Sequence, residues 1–206
     1  MNKKFPSLIP VFPLSGVIYF PKTNLPLNIF EQRYLNLVND AFRKDKLIGM
    51  IQSRKSGEEV YKIGCLGKID DFKKSEDGRI LINLTGLTRF EAIEEIKNDK
   101  LYREFKVNYE KFNTDLKPLS EKVSILSLME KAKTFFNKNG LLLNWLEFEK
   151  LDKLQKINTL AMIAPITNEE KQKLLETILI KDKIKILSEI LEFYLHDKNA
   201  EKFTLQ

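Results

Sequence analysis

Apolar and polar positions change rhythm along this chain near residue 112. Before that point apolar residues alternate with polar ones or form short runs, as strands do. Beyond it they recur at three- and four-residue spacing, as amphipathic helices do. Seven of the eight glycines and five of the seven prolines lie in the first part, which suits strands joined by turns. The pattern predicts an α+β chain, β-rich over 1–112 and helical over 113–206.

Within the first part, 9–14 (IPVFPL) reads as a strand. Pro10 and Pro13 cannot donate to a ladder, so it belongs at a sheet edge or is irregular. Residues 17–20 and 25–29 (LPLNI) read as short extended pieces. Residues 31–44 have helix periodicity, with Tyr34, Leu37, Val38, Ala41 and Phe42 on one face. Strands follow at 47–52 and 60–72, where Gly64 and Gly67 mark a bulge or a close backbone approach. Asp77-Gly78 signals a hairpin. The next strand runs from Ile80 to a break at Gly86 and resumes over 87–96. Phe105, Val107 and Tyr109 form the apolar side of a half-exposed strand. Six or seven such strands imply a small mixed sheet or partly closed barrel carrying one helix.

The second part is expected to hold four helices with short links. Ser120 is placed as the first N-cap. Ile125, Leu128, Met129, Ala132 and Phe136 give that helix its stripe, and Asn139-Gly140 closes it. A second helix is expected over 146–164, stopped by Pro165. Thr167 and Glu170 have the spacing of a capping box, and Asp182 is placed as the cap of the last helix.

Net charge is +6, and 29 of the 35 basic residues are Lys. A scattered Lys surface suits solubility better than phosphate reading, which favours clustered Arg. Nucleic acid is therefore a disfavoured partner. The single cysteine, Cys65, excludes an internal disulfide and any cysteine-cluster metal site, and fits a cytoplasmic compartment. Pro6, Pro10 and Pro13 interrupt the apolar stretch after Met1, so a signal peptide is not expected. No run approaches the roughly 20 apolar residues that cross a bilayer. Phosphate-loop and nucleophile-elbow motifs are missing. The Gly64-Cys65-Leu66-Gly67-Lys68 run opens no helix, so it reads as a bulged strand. Cys65 lies among apolar residues and reads as a small buried hydrophobe, not as half of a dyad with His196, the only histidine. Paired carboxylates such as Asp70-Asp71 would point to opposite faces of a strand. No catalytic residue, metal site or cofactor is expected.

What is specific is a series of phrases in the first part. They are Ile9-Pro10-Val11-Phe12-Pro13-Leu14, Phe20-Pro21, and Leu25-Pro26-Leu27-Asn28-Ile29-Phe30-Glu31-Gln32-Arg33-Tyr34. Then come Ile48-Gly49-Met50, the Ile63 to Ile69 glycine run, Asp77-Gly78-Arg79 and Gly86-Leu87-Thr88-Arg89-Phe90. In this order and spacing the series resembles the Lon protease N-terminal, substrate-binding domain family. The second part is similar too, above all from Ala164 to Leu175. The resemblance implies a PUA-like twisted β-sheet or pseudo-barrel with one helix, followed by a helical bundle. It also implies binding of unfolded or tagged protein substrates. The ATPase and Ser-Lys peptidase domains of Lon proteases have no counterpart in these 206 residues, so a stand-alone bacterial member without either activity is expected.

Two groups of residues are singled out. Tyr19, Phe20, Leu25 and Leu27, in a Pro-punctuated stretch, are candidates for a surface or unpaired edge that binds an extended apolar segment. The bland alternative is that they close the core. Glu31 is expected to pair with Arg89 or Arg33 and tie helix to sheet, with Phe30 and Phe90 packed as core beside it. The leading expectation is a non-enzymatic module that binds unfolded polypeptide or a protein partner. An RNA-binding PUA-like protein is the alternative, and a small-molecule enzyme with an unrecognised site is the third reading.

Overall fold

Strand residues with one apolar face must bury it, and the first 118 residues do so by rolling their sheet closed. The computed structural model describes residues 5–54, 59–119 and 123–196. It divides into two units, Met1–Pro118 and Leu119–Gln206. The first contains β1 (Leu8–Leu14), β2 (Asn24–Ile29), α1 (Gln32–Phe42), β3 (Leu47–Gln52), β4 (Ile63–Lys74), β5 (Ile80–Ile96), β6 (Arg103–Asn108) and a 3₁₀ segment (Glu110–Leu116). Sheet order is β2-β5-β4-β3-β1-β6, and β6 returns to pair with β5. Five strands thus close a ring, and β2 adds to the flank of β5 outside it. Only β1 and β3 run parallel; β2 and α1 supply the crossover that a parallel pair needs. Ile9, Val11, Leu47, Ile51, Leu66, Phe90, Phe105 and Val107 form a core cluster inside.

β1 is not an edge strand, as its prolines had suggested. It lies between β3 and β6. Hydrogen-bond parity explains how. Val107 N donates to Ser7 O, and Ser53 N donates to Leu14 O. Odd residues of β1 therefore face β6 and even ones face β3. Pro10 faces β3 before that pairing begins at Val11, and Pro13 faces β6 after that pairing has ended at Val11. Neither missing N–H falls where a partner waits.

Gly86 does not break β5, which runs unbroken for 17 residues. What changes there is its neighbour: residues 80–85 pair with β2 and residues 91–96 with β6. The expected extended piece at 17–20 makes no ladder at all. The β4–β5 hairpin forms at Asp77-Gly78, with Gly78 at φ +86°. The 3₁₀ segment buries Phe112 and Asp115 and belongs to the first unit, so the division comes at Pro118 and not at 112.

The second unit holds α2 (Leu126–Lys138), α3 (Trp145–Glu149), α4 (Lys153–Ile163), α5 (Asn168–Glu176) and α6 (Ile180–His196). The single helix expected over 146–164 is two, because Asp152 and Gln155 form a capping box that starts a new helix. The Thr167–Glu170 box forms as the spacing predicts. Asp182 sits inside the first turn of α6 instead of capping it. Ser120 lies outside the described residues. Leu128, Ala132, Phe135, Leu160, Leu187 and Leu191 are buried. Lys131 to Glu192 (2.5 Å) and the Lys138 Nζ donation to Leu195 O (2.7 Å) bridge α2 and α6. Among the described residues no helix is long and apolar enough to cross a membrane.

Candidate functional site

The stretch from Val17 to Leu27 folds inward before it becomes a strand. Lys22 takes φ +62° and donates its N–H to Gly86 O (2.8 Å), while Gly86 N donates to Thr23 O (2.9 Å). The Thr23 hydroxyl donates to Phe20 O (2.7 Å). This crossing is so close that a Cβ on Gly86 would lie 2.3 Å from Phe20 O. The consequence is that Ile18, Tyr19 and Phe20 are buried, as is Leu25; Leu27 is half-buried. Burial, with small contributions from Cys65 and Asp70, pushes the Tyr19 phenol well above its ordinary range. In this conformation Tyr19, Phe20 and Leu25 pack as core, and a partner reaching the segment meets other atoms.

Those atoms are the far side of β2. Its odd residues bond to β5, so the peptide groups of Asn24, Pro26 and Asn28 face away from the sheet. All three residues are exposed, and among the described residues no backbone hydrogen bond engages them on that side. Pro26 stands at a position where an N–H would have no partner in the sheet, as edge prolines do. On the outer face, Thr85 Oγ1 donates to Asn24 Oδ1 (2.8 Å). Leu81, directly opposite Asn28, is exposed. At the end of the row Phe30 is 65 % exposed, where core packing had been expected; its neighbour in that expectation, Phe90, is fully buried. Phe30 lies between the last pairing of β2 and the first turn of α1.

The expected Glu31–Arg89 pair does not form. Glu31 accepts from Arg33 Nε (2.9 Å) at the surface. Arg89 is buried and meets Asp115 of the 3₁₀ segment: Nε to Oδ2 at 2.9 Å, Nη2 to Oδ1 at 2.8 Å, and its own backbone N to Oδ2 at 2.9 Å. The guanidinium lies 4.5 Å from the centre of the Phe112 ring. Arg89 falls between the part of β5 that pairs with β2 and the part that pairs with β6. Asp115 supplies the acceptor that a strand would otherwise give. No spacing rule points to Asp115; the one hint is an acidic residue in a turn-forming stretch (NTDLKP).

Chemistry of other kinds finds little footing. Cys65 is fully buried in β4. Among the described residues no three of His, Cys, Asp and Glu gather as metal ligands.

A small mixed β-barrel with one helix and an accessory edge strand, followed by a helical unit, is the class this architecture defines. The family known by its "ATP-dependent protease La (LON) substrate-binding domain" matches residues 8–192, and the chain belongs to it. The chain is similar to the Lon protease of Syntrophus aciditrophicus, 29 % identical over 93 % of this chain and 26 % of that protein. Lon protease 2 of Myxococcus xanthus is 26 % identical over 93 % of this chain and 24 % of its own length. The chain thus spans about a quarter of the curated relatives it matches. Among solved structures, a Lon N-terminal domain protein from Xanthomonas campestris has a TM-score of 0.64 at 21 % identity, covering 91 % of this chain and 99 % of that one. The N-terminal domain of a Mycobacterium avium complex Lon protease also has a TM-score of 0.64, at 15 % identity, covering 90 % and 98 %. These likenesses bear on the fold.

Proposed function

We propose that the chain is a non-catalytic, cytoplasmic module that captures exposed apolar or unfolded polypeptide along β2. The observation that supports this reading is the solvent-facing edge of β2 beside an exposed Phe30, in a member of a substrate-binding family. An extended segment adds to such an edge through main-chain hydrogen bonds, which are indifferent to sequence. Phe30 and Leu81 offer shallow apolar contact without a deep pocket. That combination gives weak, tolerant binding, as recognition of unfolded chains requires. The four residues first singled out keep a part in it: Tyr19, Phe20, Leu25 and Leu27 set the edge in place from the inside.

Titration with fluorescently labelled, reduced and alkylated lysozyme tests the reading. Asn28→Pro removes an outward N–H, and Phe30→Ser removes the ring. Each is expected to weaken binding by roughly fivefold or more while leaving the thermal melt in place. Unchanged affinity in both variants would sink the proposal, as would ATP hydrolysis or peptide cleavage by the purified chain. Nucleic acid remains the weaker partner: Arg33, Arg79, Arg89 and Arg103 each pair with a carboxylate, which takes up much of the charge that would read phosphates.

A further inference from the structure

The helical unit carries an open notch of about 510 Å³ where α5 ends and α6 begins. This is within the size range of ligand sites, roughly 300–1,000 Å³. Ile178, Leu179 and Ile186 supply its apolar surface. Ile178 is 47 % and Leu179 63 % exposed, although both continue the apolar periodicity of Leu174 and Leu175, which are buried. The helix stops at Thr177, whose hydroxyl donates to Lys173 O (2.7 Å) and whose backbone turns extended. That turn carries the two following side chains out of the core and leaves them at the mouth of the notch.

The charged side chains that line the notch are mostly acidic. Glu176, Asp182 and Glu189 line it against one cation, Lys185, in a protein of net charge +6. Glu176 accepts from the Gln172 amide (2.8 Å). Asp182 stands in the first turn of α6 and is exposed. Lys185 lies 3.9 Å from Glu189 with both side chains mostly exposed, an arrangement that contributes little and leaves Glu189 available. Among the described residues no buried polar side chain lines the notch in the way small-molecule sites arrange theirs. An apolar surface rimmed by three carboxylates complements an aliphatic side chain flanked by cations.

We infer that the α5–α6 notch docks polypeptide segments in which aliphatic residues are flanked by Lys or Arg. The inference rests on the reading of the chain as a polypeptide binder, but uses a separate surface and adds a charge preference that β2 lacks. Aliphatic burial provides the attraction, and the carboxylate rim selects and steers the cationic flanks.

Three labelled hexapeptides test it by fluorescence anisotropy at low ionic strength: Lys-Lys-Leu-Leu-Lys-Lys, Glu-Glu-Leu-Leu-Glu-Glu and Lys-Lys-Ser-Ser-Lys-Lys. The first is expected to bind roughly tenfold tighter than either of the others and to weaken with salt. Leu179→Ser and Asp182→Lys, both at exposed positions, are each expected to weaken it roughly tenfold with an unchanged melt, and Asn28→Pro to leave it within about twofold. Equal binding of the Lys- and Glu-flanked peptides, or no binding of the first, would overturn the notch. Loss in Asn28→Pro with none in the notch variants would overturn it too and leave the β2 reading standing. Concentration-dependent dimerisation abolished by Leu179→Ser would show a second copy as the occupant and end the proposal.

Discussion

Arg89 and Asp115 carry an energetic burden out of proportion to two side chains. Both are buried, joined by two short charge-assisted bonds, and the carboxylate also receives a backbone N–H. Breaking a buried ion pair by removing one partner costs about 3–5 kcal/mol. Asp115→Ala is expected to lose that much in urea unfolding. Arg33→Ala, which breaks a surface pair, should stay within about 1 kcal/mol. Equal losses would refute the buried pairing. Tyr102 makes a different prediction. Its hydroxyl donates to Asp40 Oδ2 (2.8 Å), and burial first, then that bond, pushes its pKa up to about 12 from 10.0. A group whose folded pKa is raised stabilises fully below its unfolded pKa and loses that contribution as pH climbs through the folded value. Stability should therefore fall from about pH 10 toward 12, with Tyr19 and Tyr109, also pushed up by burial, extending the fall. Melts across that range should show Tyr102→Phe with a shallower decline than the parent chain. An equally steep decline in the variant would remove Tyr102 from the account.

Among the elements, α5 is started by its own sequence. Thr167 Oγ1 accepts from Glu170 N (3.2 Å), and Glu170 Oε2 accepts from Thr167 N (2.8 Å) and from the Tyr194 hydroxyl of α6 (3.0 Å). One carboxylate thus starts a helix and ties it to its neighbour. Thr167→Ala should cost about 1 kcal/mol in chemical denaturation, the usual worth of an N-cap. β5 is the opposite case. Its length and its change of partner at Gly86 answer to what lies beside it: the chain crossing at Phe20, the end of β2 and the start of β6. Its own residues suggested two strands with a break between them, because a glycine inside an alternating run looks like a stop. The proline-bearing β1 misled for a related reason. A missing N–H disqualifies a position only if a partner is waiting there, and that depends on the register of two other strands.

Across the whole molecule, the order of strands and helices and the membership of the LON substrate-binding family were legible from the residues. Period-two and helical patterning are local properties, so they can be read from a chain with no partner in view. The capping box at Thr167 belongs with them, since all its atoms lie within one turn. Tertiary structure alone decided the closure of the ring, the pairing of Arg89 with Asp115 rather than Glu31, and which apolar residues of the motif phrases face water. Phe20 and Phe30 sit in neighbouring phrases and look alike as letters. One is fully buried and the other stands open beside the free edge of β2. Burial is a relation between distant segments, and a linear pattern carries no term for the neighbour that covers a side chain or leaves it bare.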